Sequence, residues 1–180
     1  MKLLERFLLA TLLGLSASCQ SSNPDLLLVT ADTKFEEGDF QGAIVEYSKV
    51  LQEHPENLRA TNNRGVAKLQ TGNIPGAIKD FNLAIALDAT FAEAYYNRGL
   101  ARFKSNEIDG AIADYTEALR CNARYGKAWA GRGIALLKKG DRDGAVTDFK
   151  TALSVSPADW PDRRAVEAEL AKLQKPRDDK

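Results

Sequence analysis

Gly42-Ala43-Ile44 returns as Gly76-Ala77-Ile78, as Gly110-Ala111-Ile112 and, with one conservative change, as Gly144-Ala145-Val146, each copy 34 residues after the one before. Four copies at one fixed period mark a chain assembled from repeated supersecondary units rather than around a single irregular core. Moving outward from each alanine, an aromatic ring follows four residues later (Tyr47, Phe81, Tyr115, Phe149), and a small apolar residue follows three beyond that (Val50, Ala84, Ala118, Ala152). Spacings of four and seven place all three on one side of an α-helix, which is the expected core face.

Twelve residues before the repeated alanine stands another small residue: Ala31, Gly65, Gly99 or Gly133. Glycine weakens a helix interior, so its recurrence there predicts a second helix approaching too closely for a larger side chain. Between the two helical stretches of each unit lie Gly38-Asp39, Gly72-Asn73, Asn106-Glu107 and Gly140-Asp141. These pairs predict a left-handed helix end followed by an N-cap. Each unit therefore reads as helix, tight turn, helix. Pro75 falls in the first turn of its second helix, where the missing N–H donor costs little.

The order of small residue, turn glycine, alanine, aromatic, alanine and unit-ending proline resembles the tetratricopeptide repeat (TPR) family. The resemblance covers 24–159, about three quarters of the chain, in units 24–57, 58–91, 92–125 and 126–159. Pro55 and Pro157 end two units, whereas Ala89 and Ala123 replace proline in the others, which bears on the stiffness of those two junctions. The fold expected is all-α, an α-solenoid of about four helical hairpins. The first unit departs most from its neighbours, with Leu27 and Thr30 where later copies carry aromatics or arginine, as suits a terminal repeat. Beyond Pro157, residues 160–180 are read as a capping helix and tail. Val166, Leu170 and Leu173 have helical spacing there, but Glu167 occupies the place of the small residue, so a fifth inner helix without a partner is expected.

The resemblance also implies a concave groove lined by the first helices, with ligand contacts at six fixed positions of each repeat. Carried over by counting, these are Asn62, Asn63, Val66 and Leu69 in the second repeat, Tyr96, Asn97, Leu100 and Phe103 in the third, and Lys127, Ile134, Leu137 and Lys138 in the fourth. Some TPR proteins grip a partner's C-terminal carboxylate with a clamp from three repeats. Asn63 or Asn97 and Lys127 match parts of such a clamp, but Leu28, Asp32 and Gly131 do not, so an Hsp90-type tail is not expected as the ligand. Arg64, Arg98 and Arg132 share one repeat position and Asp80, Asp114 and Asp148 another, which predicts a ladder of ion pairs between or within hairpins rather than an anion-binding stripe.

Ahead of the repeats, Lys2 and Arg6 precede an apolar run, Phe7 to Leu15, too short for the roughly 20 residues that span a bilayer. Ser16-Ala17-Ser18 and Cys19 follow, an order that resembles the lipobox of bacterial lipoproteins, although Ser16 stands where that family prefers leucine. The expectation is a signal peptide over 1–18, lipidation of Cys19 and a short linker over 19–23, with conventional signal cleavage as the alternative. Two acyl chains on Cys19 would give stable membrane anchoring, facing the periplasm or the extracellular side.

Composition narrows the function further. Lys plus Arg and Asp plus Glu number 25 each, so nothing in the net charge points to nucleic acid. Cys19 and Cys121 stand in unlike contexts and His54 is the single histidine, so neither a disulfide framework nor a metal site is expected. Gly131-Arg132-Gly133 lacks the third glycine and the preceding strand of a nucleotide fingerprint, and Asp141-Arg142-Asp143-Gly144 has its glycine too early for a calcium loop. The sequence is thus expected to encode a protein-binding scaffold of the bacterial cell envelope, without cofactor or catalytic residues, whose partner is a segment of another envelope protein. The alternative expectation is a self-assembling array whose main partner is a further copy of itself.

Overall fold

A computed structural model describes residues 24–174, with side chains from residue 27. The expected signal segment 1–18, Cys19, the linker and the tail 175–180 lie outside the described residues. Within them every regular element is an α-helix: α1 (Pro24–Glu36), α2 (Phe40–Glu53), α3 (Leu58–Gln70), α4 (Ile74–Leu87), α5 (Ala92–Lys104), α6 (Ile108–Cys121), α7 (Gly126–Lys139), α8 (Arg142–Val155) and α9 (Arg163–Gln174). Each helix packs chiefly on its neighbours in sequence, giving four hairpins stacked in a row and α9 resting on α8. This is the α-solenoid, closed at its C-terminal end by the expected unpaired helix.

The turns explain where each hairpin bends. Gly38, Gly72 and Gly140 have φ of 81°, 81° and 94°, and Asn106 reaches 65° in their place. The following residue caps the second helix: Asp39, Asn73 and Asp141 accept from the backbone N–H of Gly42, Gly76 and Gly144 at 2.8, 3.0 and 2.9 Å. A Cβ at any of these three glycines would run into the capping side chain, which is why glycine opens the repeated triplet. Glu107 departs from the expectation, since it makes no side-chain cap bond. Its extra methylene moves the carboxylate off the short reach that suits aspartate.

At the close approach, the aromatic of each second helix lies across the glycine of the first. A Cβ on Gly65 would stand 2.6 Å from the Phe81 ring, on Gly99 2.9 Å from Tyr115, and on Gly133 2.7 Å from Phe149. Those rings are almost wholly buried, so their burial offsets the helical cost of the glycines. The two junctions that lack proline are held by side-chain turns instead. Asp88 accepts from the Thr90 N–H at 2.8 Å and Asn122 from the Arg124 N–H at 3.0 Å.

The arginine and aspartate ladder joins hairpins both within and between. Arg64 donates bidentately to Asp80 (2.9 and 2.7 Å), Arg98 to Asp114 (3.0 and 2.7 Å) and Arg132 to Asp148 (2.8 and 2.9 Å), always 16 residues forward. The remaining guanidinium nitrogen of each reaches 16 residues back, to Ser48, Asn82 and Thr116 respectively. All three carboxylates are buried and fully engaged, which leaves no repeating row of free cations for an anion among the described residues.

Candidate functional site

The concave face is made by α1, α3, α5 and α7, and it divides into two chemically different halves. In the N-terminal half, Asp32 of α1 accepts from the Tyr47 hydroxyl at 2.6 Å, from the Asn63 amide at 3.4 Å and from the Arg59 guanidinium. The chain of bonds continues as Asn62 donates to Asn63 at 3.2 Å and Asn97 donates to Asn62 at 3.0 Å. One polar relay therefore crosses three repeats. Burial, reinforced by the Asp32 hydrogen bond, raises the Tyr47 hydroxyl well above the ordinary phenol range, so it stays a donor. A depression of about 230 Å³ beside this relay is lined by Asp32, Phe35, Glu36, Tyr47, Arg59, Asn63 and Val66.

The C-terminal half is apolar and open. A cavity of about 300 Å³ is lined by Tyr96, Leu100 and Phe103 of α5, Tyr115 of α6, Lys127, Ala130, Gly131 and Ile134 of α7, and Phe149 of α8. Its remaining wall comes from the C-terminal segment: Trp160, Asp162, Ala165, Val166 and Glu169. An adjoining groove adds Leu137, Lys138 and Ala168. Tyr96 anchors an aromatic cluster, with ring centroids 5.8 Å from Tyr115 and 5.2 Å from Tyr125. Burial first, and then the Asp162 carboxylate, raise its pKa, so Tyr96 presents a neutral hydroxyl. Ile134 is 45% exposed, so its side chain is open to an occupant of the cavity it lines.

The residues expected from counting fall into three groups. Tyr96, Leu100, Phe103, Lys127 and Ile134 line the apolar cavity, and Leu137 and Lys138 continue it. Asn63, Asn97 and Val66 belong to the polar half. Asn62 and Leu69 require correction as accessible groove residues: they are only 3% and 4% exposed. The Asn62 amide is enclosed by Asn63 and Asn97, and Leu69 packs into the core with Ala77, Phe81 and Ala101. The contribution of the C-terminal helix was missed altogether. Extending the same count one further unit reaches Ala165 and Ala168, both of which line the groove, so the signal was present.

Among the described residues no group of three His, Cys, Asp or Glu side chains is placed to hold a metal ion, and no helix is long and apolar enough to cross a membrane. Cys121 is half-buried, its thiol 3.7 Å from the Ala89 carbonyl oxygen.

Comparison with known proteins matches the repeat directly. A family model described as TPR repeat matches residues 67–106, and two described as tetratricopeptide repeat match 92–125 and 126–159. The fold is similar to a crystal structure of MamA protein, at 28% identity and a TM-score of 0.67, covering 83% of this chain and 87% of that one. It is similar too to the first TPR of Spaghetti (RPAP3) bound to HSP90 peptide SRMEEVD, at 26% identity and a TM-score of 0.64, covering 67% and 96%. A thermophilic TPR protein in Thermus thermophilus shares the fold at 21% identity, with a TM-score of 0.71 over 83% and 80%. No curated protein matches the sequence. With the matched repeats together spanning more than half of the sequence and a further stacked hairpin preceding them, the chain belongs to the tetratricopeptide repeat family.

Proposed function

We propose that this chain is a non-catalytic interaction scaffold of the bacterial cell envelope that holds a segment of another protein in the C-terminal half of its concave groove. One observation carries the reading: the polar groups of the N-terminal half satisfy one another, whereas Leu100, Phe103 and Ile134 surround an apolar cavity that no side chain of the array fills. Cavities of this size, apolar with a few polar groups at the rim, suit a buried anchor side chain. A TPR relative at 26% identity has a peptide bound, which supports a peptide-like occupant without fixing its sequence. Asp32 is already engaged and Gly131 offers no side chain, so the features of a carboxylate clamp are incomplete here.

The envelope setting rests on the first 19 residues, with export by the signal segment and lipid on Cys19. Labelling cells with a radioactive fatty acid checks it: the label is expected on wild type and lost from Cys19→Ser, and an unlabelled wild type would remove the lipoprotein part of the proposal. For the groove, the mature protein and a Phe103→Ala/Ile134→Ala variant are used side by side to capture partners from the native envelope. A protein retained by wild type and lost from the variant is the expected result. Identical recovery by both would place the contact elsewhere.

A further inference from the structure

The cavity is apolar at its floor but its two long walls carry opposite charge. On α7, Lys127, Ile134 and Lys138 stand at spacings of seven and eleven, which an α-helix places on one stripe. The two lysines are separated by about 16 Å along the axis at 1.5 Å per residue. Lys138 lies over the Phe103 ring at 5.1 Å, and neither lysine has a carboxylate within ion-pair distance among the described residues. Facing them from the C-terminal segment are Asp162 and Glu169, seven residues apart and both on the cavity lining. Asp162 is free of ion pairs among the described residues, while Glu169 holds only the exposed Lys172 at 2.6 Å. In the polar half of the groove Asp32 is paired with Arg59, and behind the groove the buried carboxylates of the ladder are each paired within their own hairpin. Like charges on one wall and opposite charges across the apolar floor select an occupant by arrangement as well as by hydrophobicity.

We infer that this site takes a peptide segment with a large aliphatic or aromatic anchor, flanked by acidic residues toward α7 and basic residues toward α9. The inference rests on the proposed function and specifies its ligand. It also makes α9 part of the recognition surface rather than only the end cap of the core.

The test uses the full mature chain and synthetic fluorescent 15-residue peptides with one common Ile-Trp-Leu centre. Their flanks are all serine, serine with acidic residues, serine with basic residues, or an acidic and basic mixture. Anisotropy titrations are expected to show acidic and basic flanks each tightening binding about five-fold over serine, with the mixture tightest, since two partly exposed ion pairs contribute on that order. Neutralising one wall with Lys127→Gln/Lys138→Gln should abolish only the acidic gain. Neutralising the other with Asp162→Asn/Glu169→Gln should abolish only the basic gain, and all gains should fade in high salt. Serine flanks binding as tightly as charged ones would overturn the inference while leaving the groove reading intact. Failure of every peptide to bind would remove both. Sedimentation of the protein alone decides the remaining occupant: a dimer that the peptides dissociate would assign the site to a second copy and overturn the inference.

Discussion

The two halves of the concave face draw on the same set of counted repeat positions, the fifth and sixth in one and chiefly the ninth and twelfth in the other, and end with opposite properties. At the N-terminal half the counted positions supply Asn62, Asn63 and Asn97, which close a hydrogen-bonded chain onto Asp32 and Tyr47. At the C-terminal half they supply Leu100, Phe103 and Ile134, which cannot satisfy one another by hydrogen bonds and leave apolar surface around a cavity. A repeat position therefore fixes direction but not availability. A polar side chain on the inner face can be consumed by the next repeat, whereas an apolar one remains accessible when its neighbour is as small as Gly131 or Ala165.

Substitutions on either side of this divide test it. The largest effect is expected from Asp114→Ala beneath the apolar half, which strips Arg98 and Arg102 of their shared acceptor. Chemical denaturation should show a loss of about 3 kcal/mol, at the low end for a broken buried pair because the arginines are partly exposed. Gly99→Leu forces a side chain into the Tyr115 ring, and a loss of about 2 kcal/mol is expected from overpacking. In the polar half, Asn62→Ala takes the donor from the Asn63 side-chain oxygen and the acceptor from the Asn97 amide N–H, so the melting temperature should fall, by the equivalent of about 1–2 kcal/mol, while peptide affinity barely moves. The reverse outcome, stable protein and weakened binding, would make the polar half the site. Phe103→Ala should lower peptide affinity by about 1–2 kcal/mol with a smaller effect on melting, the signature of an anchor in the apolar half. The smallest expected change is a gain: Glu107→Asp restores the missing cap of α6, and about 0.5 kcal/mol of added stability would be measured.

Much of the fold was legible because the 34-residue period fixes which residues meet. Gly65, Gly99 and Gly133 announced the close approach, and the aromatic 16 residues later is the ring that fills it. The departure at Glu107 was not legible, since cap geometry depends on one methylene. The site was readable only by direction. Counting placed Asn62 and Leu69 on the inner side, but their depth is set by Asn97 and Ala101 of the following repeat, which a position number does not encode. The role of α9 was hidden for a different reason: Glu167 in place of the small residue made it read as an end cap, while the wall it contributes lies on another of its faces, through Ala165, Ala168 and Glu169.

The arginines that reach 16 residues in both directions turn the solenoid into a zipper. Each rung fastens its own hairpin and the one before it, so no interior hairpin can open without unfastening a neighbour, and opening must begin at an end. At the N-terminal end the ladder positions hold Thr30 and Glu46 instead of arginine and aspartate, and Glu46 is turned to Lys49 at 2.9 Å. Amide hydrogen exchange should therefore run inward from both ends, from α1 and α2 at one and from α9, which carries Val166 at the ladder position, at the other, so that the cavity loses its α9 wall while α5 and α7 are still fastened.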